Sequence, residues 1–151
     1  MLTAKKARGF TLLELTIVLF VMVLGFSVIG INLSSGNDSA QVKAAARDIA
    51  SALRFVRGHA LTTHQEAVLA VDLSENSYTV TGKDQVYNIP EGIDITVDTA
   101  QEELVGDGVA NIRFFADGSS TGGRVTLESG NFKWQIDINW LTGQIELNDN
   151  F

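Results

Sequence analysis

Three hydropathy patterns follow one another along the chain. From Phe10 to Leu33 it is almost wholly apolar for 24 residues, interrupted only by Thr11, Glu14, Thr16, Gly25, Ser27, Gly30 and Asn32. As a helix this run reaches about 36 Å, enough to cross a bilayer core of about 30 Å. Ser34-Ser35-Gly36-Asn37-Asp38-Ser39 is a breaker cluster that predicts a kink or irregular turn at 34–38. A helical stripe then follows: Val42, Ala46, Ile49, Leu53, Val56 and Ala60 recur at spacings of four and three. Asp38 with Gln41 reads as a capping box opening this second segment, which the pattern carries to about Leu61. Lys43, Arg47, Arg54 and Arg57 lie on a neighbouring stripe, as a solvated helix face or as one that meets acidic neighbours.

From Glu66 the period changes from 3.6 to 2. Ala67–Asp72 and Tyr78–Thr81 read as a hairpin around Ser74-Glu75-Asn76. Gln85–Ile89 and Ile93–Val97 flank a turn at Pro90-Glu91-Gly92, and Asp98–Gly108 is acidic and loop-like. Asn111–Phe115 and Arg124–Glu128 flank residues 116–123, whose Asp-Gly and Gly-Gly pairs suit a long hairpin turn. Phe132, Trp134, Ile136, Ile138 and Trp140 alternate with Lys133, Gln135, Asp137 and Asn139, a strand with one buried face. Leu141-Thr142-Gly143 turns into a last strand, Gln144–Asn148. A helix followed by antiparallel strands is an α+β layout, with the long N-terminal helix packed on antiparallel sheet. The apolar stripe at 42–60 needs a partner, and the apolar face of the sheet is the one available.

The flanks of the apolar run carry direction. Lys5, Lys6 and Arg8 precede it, and no basic residue follows until Lys43. The positive-inside rule therefore puts the N-terminus in the cytoplasm and the larger part outside. A secretory signal would have a shorter apolar region, about 7–15 residues, ending in a small-x-small site, and Ser27–Ile31 matches that poorly. A plain anchor leaves Glu14 unexplained, since an acidic side chain within a span costs on the order of 3 kcal/mol and marks a functional candidate.

Arg8-Gly9-Phe10-Thr11-Leu12-Leu13-Glu14-Leu15 resembles the processing signature of type IV prepilins: basic leader, glycine, phenylalanine, and a glutamate four residues on. The resemblance implies cleavage between Gly9 and Phe10 by a membrane prepilin peptidase, then N-methylation of the new Phe10 amine. It divides the chain into a leader (1–9), a membrane and filament-core helix (10–33), an amphipathic second half of the helix (34–65) and a β-rich globular part (66–151). A glycine without a side chain lets the backbone approach a protease closely. Cleavage leaves an ammonium at Phe10, and Glu14 offers the opposite charge. Pairing within one chain, one helical turn apart, and pairing with a neighbour's amine are both open from the residues. The resemblance favours the intersubunit pair.

The C-terminal third narrows the family. Ile112–Arg124, with its Phe114-Phe115-Ala116-Asp117-Gly118 core, and Ile136–Gly143 resemble stretches shared by H-type minor pseudopilins of type II secretion and related minor pilins of type IV pili. The first implies a structural subunit, in the inner membrane by one pass with its C-terminal part periplasmic. Its partners would be other major and minor pseudopilins, the prepilin peptidase/methyltransferase and inner-membrane lipid. The alternative is a minor pilin of a type IV pilus in DNA uptake. Two features oppose nucleic acid. With Lys5, Lys6 and Arg8 set aside, eight basic side chains face 18 acidic ones, a net charge of −10. Gly143 is followed by Gln144-Ile145-Glu146, where related DNA-binding pilins have basic residues.

Little else points to chemistry. With no cysteine, disulfides and thiolate metal sites are excluded. His59 and His64, five apart, do not share a helix face as metal ligands would. Asp72, Glu75 and Asp117 sit in turns without the spaced ligands of a calcium loop. Gly118–Gly123 lacks the Gly-Lys-Ser/Thr of a phosphate loop. No base is placed beside a serine nucleophile. Neither an enzyme, a cofactor nor a metal is expected.

Overall fold

The computed structural model describes residues 11–106 and 108–149, without the side chains of 25–37. Lys5, Lys6, Arg8, Gly9 and Phe10 lie outside the described residues. Helix α1 spans Leu12–Thr63. The chain divides into two compact units, Met1–Asn37 and Asp38–Phe151.

The breaker cluster at 34–39 carries helical backbone throughout. The capping box expected at Asp38 is therefore not a helix start. Ser, Asn, Asp and Gly each cost about 1 kcal/mol or less in a helix interior, and a helix already nucleated on both sides absorbs that. α1 has one start, at Leu12 behind Thr11, close to residue 10 where the apolar run begins. The helix ends at Thr63, two residues past the expected Leu61, and His64 follows it at φ 55° as a left-handed terminator. His64 Nδ1 donates to the Leu61 carbonyl at 2.8 Å.

Among the described residues of the second unit, nine strands form two antiparallel sheets. The first has the order β3-β2-β1-β6-β5 and the second β4-β7-β8-β9. The strands are β1 (Ala67–Asp72), β2 (Ser77–Val80), β3 (Lys83–Asn88), β4 (Asp94–Asp98), β5 (Leu104–Val105), β6 (Val109–Phe114), β7 (Gly123–Ser129), β8 (Phe132–Ile138) and β9 (Ile145–Asp149). The β1–β2 hairpin is as expected, with Asp72 opposite Ser77. Each stripe residue from Val42 to Ala60 is at most 1% exposed. They share one core with Leu69, Val71, Ile112 and Phe114 of the first sheet and Val125, Leu127, Ile136 and Ile138 of the second. The α+β expectation, helix on antiparallel sheet, holds.

The turn expected at 90–92 is present, but it and the expected hairpin turn at 116–123 both carry the chain from one sheet to the other. β3 pairs with β2, whereas β4 pairs with β7. The link at 89–93 is held by burial of Ile89 and Ile93 at its two ends, not by pairing of its flanks. Likewise β6 pairs with β1 and β5, and β7 pairs with β4 and β8. Residues 115–122 therefore bridge two sheets and do not close a hairpin. The acidic segment 98–108 contains a short 3-10 helix (Gln101–Glu103) and β5, so it is more ordered than a loop.

Candidate assembly surfaces

The N-terminal unit begins with a cap. Thr11 Oγ1 accepts the Glu14 backbone N–H at 3.3 Å, and Thr11 O accepts those of Glu14 (3.1 Å) and Leu15 (3.2 Å). Thr11 is thus the N-cap and Glu14 the third helical residue, in a Thr-x-x-Glu arrangement. The sequence held this signal, but Glu14 was read only as a charge partner. A carboxylate in the first turn also meets the positive end of the helix dipole, worth about 0.3–1 kcal/mol when exposed. Leu12, Leu13, Leu15 and every residue from Ile17 to Leu24 are exposed on all faces of the helix. A helix apolar all round belongs in a core or in lipid. Thr16 does not disturb this, because its hydroxyl donates to Leu13 O at 2.8 Å. Among the described residues no helix is long and apolar enough to cross a membrane. The described side chains of the expected span 10–33 are those of 11–24; the remainder lies outside them.

In the second unit, the two C-terminal stretches singled out by sequence meet. Ser120 N–H donates to Trp140 O at 2.9 Å, and Thr121 N–H to Arg113 O at 3.0 Å. The Ser120 hydroxyl donates to Arg113 O (2.8 Å) and accepts from Gly122 N–H (3.0 Å). Arg57 of α1 clamps both loops, with Nε donating to Gly118 O at 3.2 Å and Nη2 to Thr142 O at 2.8 Å. Gly143, at φ 64°, is a required glycine: an added Cβ would lie 2.0 Å from Gly118 O. Arg57 was expected on a solvated face. Its clamp was not legible, because both its acceptors are backbone carbonyls of remote loops. Lys43 also departs from simple solvation, its Nζ lying 5.4 Å from the Trp134 ring centroid.

Trp140 departs from the expected strand face. Trp134, Ile136 and Ile138 are buried, but Trp140 is 66% exposed and Leu141 is 64% exposed. β8 stops at Ile138, and Asn139 Oδ1 accepts the N–H groups of Leu141 (2.9 Å) and Thr142 (3.1 Å), turning the chain before the alternation runs out.

The acidic turn residues serve the fold. Asp72 Oδ1 accepts from the Ser74 hydroxyl and the N–H groups of Ser74 and Glu75, which hold its pKa below the ordinary value, the hydroxyl foremost. Asp117 is lowered in the same way by Ser119, hydroxyl first. Glu103 is buried and receives Arg113 Nε at 2.9 Å and Nη2 at 3.3 Å, while Arg113 Nη1 reaches Glu66 at 3.0 Å. This fork pins the acidic segment and raises the Arg113 pKa, chiefly through the Glu103 hydrogen bond. Among the described residues no three His, Cys, Asp or Glu side chains converge as metal ligands. His59 stacks on Phe55, with centroids 6.0 Å apart. An open recess of about 370 Å³ lies between α1 and β2–β3, lined by Asp48, Phe55, Tyr78, Lys83 and Tyr87. Lys83 Nζ already sits 4.4 Å from the Phe55 ring centroid. Burial, then Asp48 and Tyr87, pushes the Tyr78 phenol up to about 12.

The family model for "Type II transport protein GspH" matches residues 45–143, from the α1 stripe to the glycine under the Arg57 clamp. The chain belongs to the GspH family. It is a minor pseudopilin of type II secretion, a structural subunit of a family that assembles with other pseudopilins. Type II secretion system protein H of Xanthomonas campestris pv. campestris is 28% identical over 141 residues, 93% of this chain and 83% of that protein. Among solved structures, the minor pseudopilin EpsH of Vibrio cholerae matches with TM-score 0.59 at 11% identity, over 73% of this chain and 97% of that one. The type IV minor pilin FimU of Pseudomonas aeruginosa matches with TM-score 0.57 at 10% identity, over 72% and 89%. Both structural likenesses show a pilin-like fold and nothing finer. The family match is what favours secretion over the type IV pilus alternative.

Proposed function

We propose that this pseudopilin is made as a precursor, cleaved between Gly9 and Phe10 behind the basic leader Lys5, Lys6 and Arg8, and N-methylated on Phe10. Prepilin peptidase/methyltransferase and inner-membrane lipid are the partners of that stage. Residues 10–33 then hold the chain in the inner membrane by a single pass, N-terminus cytoplasmic and residues 38–151 periplasmic. From there it joins major and minor pseudopilins in a filament that helps move folded proteins across the outer membrane. Nucleic acid is not a partner on this reading, given the net charge of −10.

The observation that carries the reading is Glu14: a lone carboxylate in the first turn of a helix whose other described side chains to Leu24, the two threonines apart, are apolar on every face. Its helix-capping position accounts for a fraction of a kcal/mol, less than its cost of burial in lipid or a filament core. A neighbour's Phe10 ammonium supplies the missing compensation. Removing one member of a buried pair costs about 3–5 kcal/mol, or roughly two to four decades in an association constant. Glu14→Ala should therefore give a processed, membrane-bound chain that co-purifies poorly with other pseudopilins and supports little secretion. Normal incorporation of processed Glu14→Ala would remove this role.

A further inference from the structure

Trp140 and Leu141 contribute nothing to the core, yet the loop that presents them is tightly tied. Asn139 caps it from within. Gly143 N–H returns to Asn139 O at 2.8 Å, and Asn139 N–H reaches Gln144 O at 2.9 Å. Ser120 holds the Trp140 carbonyl, and Arg57 holds that of Thr142. Single exposed apolar residues are ordinary on a protein surface. An adjacent Trp–Leu pair, fixed in place before any partner arrives, has the character of an interface anchor. The ordering entropy of the loop backbone is already spent, and tryptophan is among the side chains most enriched where residues dominate binding.

The surroundings give the partner's chemistry. A recess of about 300 Å³ beside Trp140 is lined by Asp137, Gln144 and Glu146 among others. Asp137 is engaged by Arg124 and by Asn148. Among the described residues, Glu146 meets the neutral Gln144 amide, at 3.0 Å, and no cation. We propose that Trp140 and Leu141 dock this domain onto the folded domain of a different pilin-like subunit, one that offers an apolar pocket flanked by a Lys or Arg for Glu146. A second copy would bring the same acidic surface, at net −10 past the leader, against itself. An anionic lipid surface would be repelled for the same reason. The proposal rests on the filament reading above and adds which surface of the globular domain makes the contact.

The test uses the full-length chain in its own membrane. A benzophenone amino acid at Leu141 is photolysed, and adducts are mapped by peptide mass spectrometry, with the same probe at exposed Val86 of β3 as the comparison site. The expected adduct joins Leu141 to the globular domain of another pilin-like subunit, next to a Lys or Arg. It should be at least about tenfold weaker from Val86. Glu146→Lys should reduce it several-fold, and W140A/L141A should cut recovery of that subunit about tenfold or more with thermal unfolding unchanged. Adducts to a second copy or to phospholipid would overturn the proposal, as would equal yields from the two positions. Undiminished recovery by W140A/L141A would overturn the anchor alone. A native chain that recovers no pilin-like subunit under any condition would overturn the filament reading and the anchor with it.

Discussion

Replacing Gly143 by alanine isolates the clamp between α1 and the two C-terminal loops. Two costs add. At φ 64° a residue with a Cβ is strained by about 1–2 kcal/mol. The new Cβ would also lie 2.0 Å from the backbone oxygen of Gly118 and 2.8 Å from Arg57 Nε, so one loop must retreat by about 1 Å. That retreat breaks the Arg57–Gly118 hydrogen bond, a charge-assisted contact worth about 1–2 kcal/mol at a partly buried site. The sum is about 2–4 kcal/mol, or a fall in melting temperature of roughly 8–16 °C for a unit of this size. Two other glycines calibrate it. Gly92→Ala has φ 84° but nothing within 4 Å, so only the conformational cost applies. Gly58→Ala lies inside α1 with nothing within 4 Å, and should stabilise by about 1 kcal/mol. The assay is thermal unfolding of the three variants in detergent, followed by fluorescence of buried Trp134. A Gly143→Ala protein no less stable than Gly92→Ala would refute the close approach of the two loops.

Two further outcomes follow from the same packing. Ile49, 1% exposed in the middle of the stripe, should not tolerate aspartate. Ile49→Asp should lose several kcal/mol in urea unfolding, and an undiminished midpoint would mean that this helix face is not in the core. Tyr78 should give a late step in an ultraviolet tyrosinate titration. Its folded pKa is raised from 10.0 to about 12, so its contribution is complete below pH 10 and is lost as pH rises to about 12. Tyr78→Phe should abolish that step, and a step unchanged in the variant would place the buried phenol elsewhere.

The core was legible because burial imposes a period on sequence: the stripe at 42–60 and the alternation at 134–138 are buried as read. The sheet crossings were not. Turn residues specify local dihedral angles, and Asp117-Gly118 or Pro90-Glu91-Gly92 reverse the chain equally well within a sheet or between two. Which strands then pair depends on contacts such as Ile89 and Ile93 in the core, far from the turn's own chemistry. Trp140 was misplaced because alternation was continued past the Asn139 turn. The second helix start expected at Asp38 is absent because Asp38-x-x-Gln41 and Thr11-x-x-Glu14 are both capping patterns, and only the latter stands at the beginning of α1. Of the candidate site, the structure describes only the position of Glu14 in the first turn of α1, and its pairing role remains a proposal. Gly9 and Phe10 rest on the prepilin-like signature.

The proposed function turns on entry of this chain into the filament as a processed pseudopilin. Intact mass spectrometry of the chain recovered from secretion-competent cells by pull-down of another pseudopilin tests it most directly. The predicted species begins at Phe10, carries one N-methyl group and lacks residues 1–9. A recovered chain that retains its leader, or that starts near Gly30 as an ordinary signal sequence would dictate, would contradict it.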